Sequence, residues 1–313
     1  MQEKSVSGIP SDHHRPGKKN DFYLPRPERK VHDHEVLTNH AGELIQHDSS
    51  YHRWSPYVEE KWYLITSIDD YSRYLLYAEM MEKETSWRHI TALERVCLRY
   101  GFPLSYYVDS HSIFRFLESR DSVWRNHYLK TDEADPQWKQ VLRDCRINPI
   151  YALSPQAKGK VERPYRWLQD RLVRTCAREN LRTIVQVREV LKYEIKRYNE
   201  HQVHSVTGEI PVIRFRKAIK EGKTLFRPFK VPSPYQSTRD IFCLREERVT
   251  NAYRKISFEG MELKVPGVNP YEKVELRMVP DEKTGLTEIR FWHNQKLLGI
   301  QKIKNTMLKR VHF

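Results

Sequence analysis

Residues 43–80 read ELIQHDSSYHRWSPYVEEKWYLITSIDDYSRYLLYAEM, and the fold prediction rests first on this stretch. Three segments in it, ELIQHD, WYLITSID and SRYLLYAEM, are rich in β-branched and aromatic residues and predict strands. Asp69 and Asp70 fall between the second and third segments, and we interpret them as turn residues rather than metal ligands. Three strands in sequence predict an antiparallel meander.

The next 120 residues alternate between helical and strand patterns. Apolar residues at helical spacing predict a helix over residues 86–100, and LSYYVD then predicts a strand. A helix around QWKQVLRDC, a strand in INPIYAL and two long helices, at about 160–180 and 184–201, follow. A meander followed by alternating helices and strands predicts a mixed α/β sheet covered on both faces, as in ribonuclease H-like folds.

The remaining segments differ in composition. Residues 1–40 contain prolines among mixed charges and predict a flexible arm, and its His13, His14, His32 and His34 lack the nearby thiols of a zinc finger. Five or six short runs near the C-terminus, the first of them RDIFCL, predict a small β-barrel. The expected domains are an arm (1–40), a catalytic core (41–207), a basic linker with one short helix (208–235) and a barrel (236–313).

The charge of the chain indicates a polyanionic partner. Its formal net charge is +14 and its sequence pI is about 9.5. Residues 158–230 hold 19 Lys and Arg against 8 Asp and Glu, so 11 of the net 14 positive charges lie there. Such segregation favours a surface that follows phosphates, and the alternative is a basic surface that serves solubility alone.

Neither a membrane span nor a secretory signal is predicted. No run of residues approaches 18 consecutive apolar positions, and no apolar run follows the charged N-terminus. We therefore expect a protein of the cytoplasm, associated with the nucleoid. The cysteines are far apart and form no C-x-x-C pair, so we expect reduced, buried thiols at Cys97, Cys145, Cys176 and Cys243.

Three carboxylates stand where a site can form. Asp48 ends the first predicted strand, Asp109 ends the strand after the first helix, and Glu162 lies in the opening turn of a helix. Their spacing alone is weak support among 41 acidic residues. Strand ends and helix N-termini, however, converge at the rim of an α/β sheet. Hard oxygen ligands select Mg²⁺ or Mn²⁺, and two such ions suit in-line phosphoryl displacement.

Several strings in the chain resemble the core of bacterial insertion-sequence transposases of the DDE, retroviral-integrase-core family. They are ELIQHDSSYHRW, ITSIDDYSRYLLYAEM, YYVDSHSIFRF and, most specifically, SPQAKGKVERPYRWLQDRL. The resemblance covers about residues 41–210. It implies a ribonuclease H-like fold, Asp48, Asp109 and Glu162 as metal ligands, and two Mg²⁺ ions, with Mn²⁺ as a substitute. It also implies cleavage and strand transfer of DNA, with transposon ends and a target duplex as partners and a homo-oligomer assembled on the DNA.

The approach to Glu162 suits contact with DNA. Its amide and ammonium donors stand beside a flexible glycine, and the alternative interpretation is an ordinary solvated helix approach. The predicted DNA-binding residues are Gln156, Lys158, Lys160, Arg163 and Arg166. Tyr106, Tyr107 and Trp167 are candidates for base stacking, although core packing is the favoured interpretation.

One feature departs from the family pattern, since no helix-turn-helix is readable before Asp48. We expect a chain truncated or misassigned at its start, or one that acts with a separate end-recognition protein. Three functional hypotheses stay open: an active transposase, a ribonuclease H-like nuclease that does not join DNA, and an inactive DNA-binding remnant.

Overall fold

A five-stranded mixed sheet forms the N-terminal half of the protein. The structure is a computed structural model and describes residues 38–108, 137–151 and 159–308, without the side chains of residues 159–164. The strands are β1 (Leu44–His52), β2 (Trp62–Asp69), β3 (Leu75–Met81), β4 (Ser105–Val108) and β5 (Asn148–Tyr151). Their order is β3-β2-β1-β4-β5. The first three strands pair antiparallel, and β4 and β5 extend the sheet in parallel, which confirms the predicted mixed sheet.

Five helices accompany this sheet and the segment after it. They are α1 (Ser86–Tyr100), α2 (Gln137–Asp144), α3 (Gly159–Glu179), α4 (Ile184–Glu200) and α5 (Pro211–Lys220). Thr85 caps α1 by accepting a hydrogen bond from the Arg88 amide, and a capping box of Thr183 and Gln186 begins α4. These local signals explain why the predicted helix bounds agree with the structure to within about a residue.

The two faces of the sheet carry separate cores. Ile45 and Ile65 pack on the side of α1 and α2, whereas Leu64 packs on the side of α3 and α4. Along α3 an apolar stripe is buried at Tyr165, Leu168, Leu172 and Cys176. Both faces of the sheet are therefore covered, as the sequence predicted.

The free edge of the sheet at β3 is partly closed by α4. The Asn199 side chain accepts a hydrogen bond from the Leu75 amide at 2.9 Å and donates one to the Leu75 carbonyl at 3.0 Å. A side-chain amide with a donor and an acceptor satisfies both groups of an edge residue, which would otherwise offer a place for another strand to pair.

The predicted basic linker lies against the core. Ala41 and Phe102 form isolated bridges with Thr224 and Arg227. Gly101 has a φ of 98°, and a Cβ there would meet the Arg227 carbonyl oxygen at 2.3 Å. Only glycine permits this approach of two backbones, so the end of α1 is shaped to receive the linker.

The C-terminal strands form an open sheet rather than the predicted closed barrel. The strands are β6 (Leu244–Val249), β7 (Lys255–Phe258), β8 (Met261–Lys264), β9 (Lys273–Asp281), β10 (Leu286–His293) and β11 (Lys296–Lys304). Four of them pair in the order β11-β10-β9-β6, and β7 and β8 pair only with each other. Among the described residues no pairing links β6 to β11, so this four-stranded sheet keeps two edges.

The run RDIFCL was also predicted to be a strand, and this prediction is wrong. Thr238–Ile241 forms a short helix, α6, because Ser237 and Asp240 make a capping box that turns the chain. Asp240 is fully buried, and its carboxylate also accepts hydrogen bonds from Arg290 Nε at 2.5 Å and Trp292 Nε1 at 3.1 Å. The short helix therefore fastens onto the C-terminal sheet.

Buried arginines connect the two sheets. The Arg245 guanidinium on β6 lies 2.6 Å from the Asp144 carboxylate at the end of α2. The Arg277 guanidinium on β9 lies beside the rings of Tyr235 and Trp292, at 4.6 and 4.9 Å from their centroids. We call Asp144, Asp240, Arg245, Arg277 and Arg290 the arginine cluster. It contributes to a single compact unit that contains both sheets.

Two further sequence predictions concern cysteines and membranes. All four cysteines are buried and none is in a disulfide, which confirms the prediction for them. Of the helices in the described ranges, not one has the length and apolar character required to cross a bilayer.

Candidate active site

Asp48 lies in the middle of β1, on the face covered by α3. The prediction that it ends the strand is wrong, because pairing with β2 continues to His52. Two residues further on, Ser50 accepts a hydrogen bond from Gln169 Nε2 of α3 at 3.1 Å. Alternate residues of a strand share a face, so Asp48 is on the same side of the sheet as Ser50.

The N-terminal half of α3 lies beside Asp48. Thr66 is the cross-strand partner of Asp48, and its hydroxyl donates a 2.8 Å hydrogen bond to the Tyr165 hydroxyl. Glu162 lies in the opening turn of α3, as predicted, three residues before Tyr165. The Glu162 side chain is outside the described part of the chain.

The strand that precedes Asp109 runs beside β1. β4 pairs in parallel with β1, with Gln46 opposite Tyr107, and Val108 is its last residue. Asp109 follows in the sequence but lies outside the described residues. Of the three predicted ligands, the structure therefore describes the side chain of Asp48 alone. Within the described ranges no group of three or more His, Cys, Asp or Glu side chains is arranged to hold a metal ion.

The predicted DNA-binding residues are described only in part. Gln156 and Lys158 lie outside the described residues, and Lys160 and Arg163 belong to α3 without described side chains. Arg166 is exposed on α3. These five assignments stay predictions.

The stacking candidates are largely committed to packing. Tyr106 and Tyr107 are buried in the sheet at 0% and 7% exposure. Trp167 is half-buried and meets the Tyr198 ring edge-on, with centroids 5.3 Å apart. Core packing is therefore the role that the structure shows for the two tyrosines.

Asp69 and Asp70 form a structural turn, as the sequence predicted. Asp69 is buried and accepts hydrogen bonds from the amides of Gly42 at 2.8 Å and Ser72 at 2.9 Å. Burial raises the pKa of Asp69 to about 6. Asp70 pairs with Arg73 at 2.7 Å. Both carboxylates thus hold the β2–β3 connection.

Sequence reasoning missed a chain of buried polar side chains on the other face of β1. His47 Nδ1 lies 2.8 Å from Ser67 Oγ, and His47 Nε2 lies 2.8 Å from His89 Nδ1. His89 Nε2 lies 3.0 Å from Glu84 Oε1, which also accepts a hydrogen bond from the Ser49 hydroxyl. We call these five residues the imidazole chain. Its sequence signal is a histidine beside Asp48, two residues after the apolar Ile45 on the same face.

The imidazole chain is buried and one of its rings is uncharged. Burial, and secondly the neighbouring His89, lower the pKa of His47 well below its usual value. The His47 ring lies between the Ser67 hydroxyl and His89, and the His89 ring lies between His47 and the Glu84 carboxylate, so each ring nitrogen has a hydrogen-bond partner.

No family model matches the chain, but individual relatives do. It is 29% identical over 243 residues to a provisionally named transposase, y4bF, of Sinorhizobium fredii, which covers 77% of this chain and 48% of that protein. It is 31% identical over 172 residues to the transposase for insertion sequence IS1202 of Streptococcus pneumoniae, covering 55% of this chain and 35% of that protein. The chain thus spans half or less of the length of these relatives.

Among solved structures, the chain is similar to the catalytic core domain of BIV integrase. The TM-score is 0.41 at 17% sequence identity, and the match covers 58% of this chain and 98% of that domain.

Proposed function

We propose that this chain is a DNA transposase of the DDE type with a ribonuclease H-like core, which cleaves DNA and joins it with two metal ions held by Asp48, Asp109 and Glu162. One observation carries the proposal. The described backbone brings β4 and the first turns of α3 to the same part of β1, where Asp48 lies.

The register of β1 and β4 supports the pairing of Asp48 with Asp109. Gln46 is opposite Tyr107, and in the sequence Asp48 and Asp109 each follow two residues later. If the parallel register continues, the two aspartates would belong to one face of the sheet, on strands whose backbones are about 4.8 Å apart. That separation suits two carboxylates that share a metal ion.

The position of α3 supports Glu162 as the third ligand. Residues three apart share a helix face, so Glu162 is on the side of Tyr165, which hydrogen-bonds Thr66 beside Asp48. With about 1.5 Å of rise per residue, Glu162 lies about 4.5 Å along the axis from Tyr165.

The three carboxylates fit Mg²⁺ or Mn²⁺, since the donors are hard oxygen atoms. Two such ions, when bound, stabilise the attacking and leaving oxygens of an in-line phosphoryl displacement. The three proposed ligands belong to or follow three separate elements, β1, β4 and α3, and these elements would orient the metal sites. Lys158, Lys160 and Arg166 hold the DNA backbone beside them through phosphate contacts.

The surface after Glu162 supports DNA as the substrate. Arg174 and Arg178 are exposed on α3, and Arg216, Lys217 and Lys220 are exposed on α5. Phosphate contacts from such a surface give affinity without sequence preference. The transposase names of the similar proteins agree with this substrate. We therefore propose transposon ends and target DNA as partners, and a homo-oligomer assembled on them in the nucleoid.

A strand-transfer assay tests the proposal. A pre-cleaved DNA end is supplied with target DNA and Mn²⁺, and joined and hydrolysed products are both measured. We expect Asp48→Asn, Asp109→Asn and Glu162→Gln each to abolish joining while DNA binding is retained. Asp170→Asn is the matched control, because Asp170 is a part-exposed carboxylate on the same helix as Glu162.

Each other outcome of the assay has a definite meaning. Near-native joining by any one of the three ligand variants would overturn the assignment at that position. Hydrolysis without joining by the unaltered protein would favour a nuclease. DNA binding without either product would favour an inactive DNA-binding remnant.

A second measurement tests the DNA path. Replacing Lys158 and Lys160 with Ala should weaken binding uniformly across sequences and reduce the slope of affinity against salt by about two, because each phosphate contact contributes about one. Lys283→Ala, on an exposed lysine in the turn between β9 and β10, is the control. An unchanged slope would place the DNA elsewhere.

A further inference from the structure

The imidazole chain forms hydrogen bonds to β1 on both sides of Asp48. Through His47 it ties β1 to His89 of α1, and through Ser49 it ties β1 to Glu84, which immediately precedes that helix. Asp48 stands between these two residues and on the opposite face. The two anchors therefore restrict rotation of the strand about its own axis, and that rotation would swing the Asp48 carboxylate.

Packing removes the remaining freedom of the rings. His47 and His89 are 1% and 0% exposed. The His47 ring stacks on Trp138 of α2, with centroids 5.7 Å apart and an interplanar angle of 14°. The edge of the Tyr106 ring lies against it at 5.9 Å. His47 is thus enclosed by α1, α2 and β4, and its position is transmitted to the backbone of β1.

Packing alone does not account for histidines at these positions. A buried polar group costs free energy unless its hydrogen bonds are met, and an apolar side chain of similar volume fills a core without that requirement. Ile45, two residues earlier on the same face of β1, does so with 0% exposure. Hydrogen bonds, unlike apolar contacts, also fix the orientation of the groups that form them. A fixed orientation of β1 is what the Asp48 carboxylate on the opposite face requires.

We propose that His47, His89 and Glu84 are positioning residues that hold Asp48 in the geometry needed to bind metal. The inference rests on the proposed function, because it takes Asp48 as a ligand. Outer groups that orient a metal ligand typically change metal affinity or activity by about 10- to 100-fold when they are removed. A displacement of about 1 Å in a reacting group has an effect of similar size.

The test measures Mn²⁺ affinity without turnover, by the rise in melting temperature on Mn²⁺ titration, and joining rates in parallel. His47→Phe keeps a ring against Trp138 but breaks the chain. We expect it to raise the half-saturating Mn²⁺ concentration about tenfold or more and to lower kcat for joining to a similar extent, with KM for DNA unchanged. Glu84→Ala, at a residue near the surface, should do the same if His47→Phe fails to fold.

Two variants separate positioning from general stability. Glu84→Gln keeps an oxygen that accepts from His89 and Ser49, so its Mn²⁺ affinity should stay within about threefold of the unaltered protein. Asn199→Ala removes two buried hydrogen bonds at the β3 edge and should lower the melting temperature without changing Mn²⁺ affinity.

The outcomes distinguish this inference from the proposed function. If the Mn²⁺ response disappears in Asp48→Asn but is unchanged in folded His47→Phe or Glu84→Ala, the positioning role is wrong and the ligand assignment stands. An equal change in Asn199→Ala would also overturn the positioning role. If the Mn²⁺ response persists in Asp48→Asn, or the unaltered protein shows none, the proposed ligand set fails and the inference fails with it.

Discussion

The imidazole chain and the arginine cluster are both buried and polar, but they are built from different groups. In the imidazole chain, His47 is kept neutral by burial, and the ring nitrogens are satisfied in sequence. In the arginine cluster, permanent cations are offset by Asp144 and Asp240. Hydrogen bonds between enclosed rings fix the orientation of those rings, whereas a buried ion pair is costly when one partner is removed. The first cluster should therefore control geometry beside Asp48, and the second should control stability.

The largest expected effect is loss of the buried carboxylate of the arginine cluster. Asp240→Ala leaves Arg290 Nε without its carboxylate partner at 2.5 Å and removes the α6 cap. We expect a loss of about 3–5 kcal/mol in the free energy of unfolding, measured by urea denaturation. Asp240→Asn, which keeps an oxygen acceptor, should lose less. A loss below about 1 kcal/mol in the alanine variant would show that the cluster does not control stability.

A second prediction uses pH, to which the two sheets should respond differently. Burial raises the pKa of Asp69 to about 6 from an ordinary value of 3.8. Between these values the folded state keeps a proton that the unfolded state loses, so the Asp69 contribution to stability falls as pH rises from about 4 to 6. At 1.36 kcal/mol per pKa unit, the full change is about 3 kcal/mol.

Urea denaturation of the unaltered protein and of Asp69→Asn at several pH values measures this change. The stability difference between the two proteins should decrease from pH 4 to pH 7 and then stay constant. The arginine cluster should contribute little to the change of stability with pH in this range. Burial lowers the pKa of Arg245, but Cys243, Asp144 and Glu275 raise it above its usual value overall. A difference that does not change with pH would mean that folding does not raise the pKa of Asp69.

A third prediction concerns the link between α2 and the C-terminal sheet. In a double-mutant cycle, Asp144→Leu and Arg245→Leu should each destabilise the protein, and the double variant should lose less than the sum of the two. The reason is that removing one partner of a buried ion pair leaves the other charge uncompensated. We expect a coupling energy of about 1–3 kcal/mol by urea denaturation. Additive losses would contradict a direct interaction.

The smallest expected effect lies at the surface. Arg88 of α1 forms an ion pair with Glu282, which also connects the two halves of the chain, but Glu282 is 52% exposed. Exposed pairs are screened by water and contribute about 0–1 kcal/mol. Arg88→Ala should therefore change the melting temperature little. A loss of stability as large as that expected for Asp240→Ala would mean that burial does not explain the difference between the Arg88–Glu282 and Asp240–Arg290 ion pairs.

Local sequence was sufficient for most of the secondary structure. Helical spacing and the caps at Thr85 and Thr183 set the ends of α1 and α4, because a helix end depends on groups within one turn of it. The same local reasoning was wrong for RDIFCL, where the capping box of Ser237 and Asp240 outweighs strand propensity. The positions of Asp48 on a strand and Glu162 in a first helical turn were also readable, since both depend on short patterns.

Contacts between distant residues were not readable from such patterns. His47 meets His89 across 42 residues, and Arg245 meets Asp144 across 101. Strand propensity suggested a closed barrel, but whether the last strand returns to the first depends on the curvature and edges of the assembled sheet. The sequence around each of these residues is like that around any other buried or charged residue. Which residues meet is settled only when the two faces of a sheet are packed against particular helices.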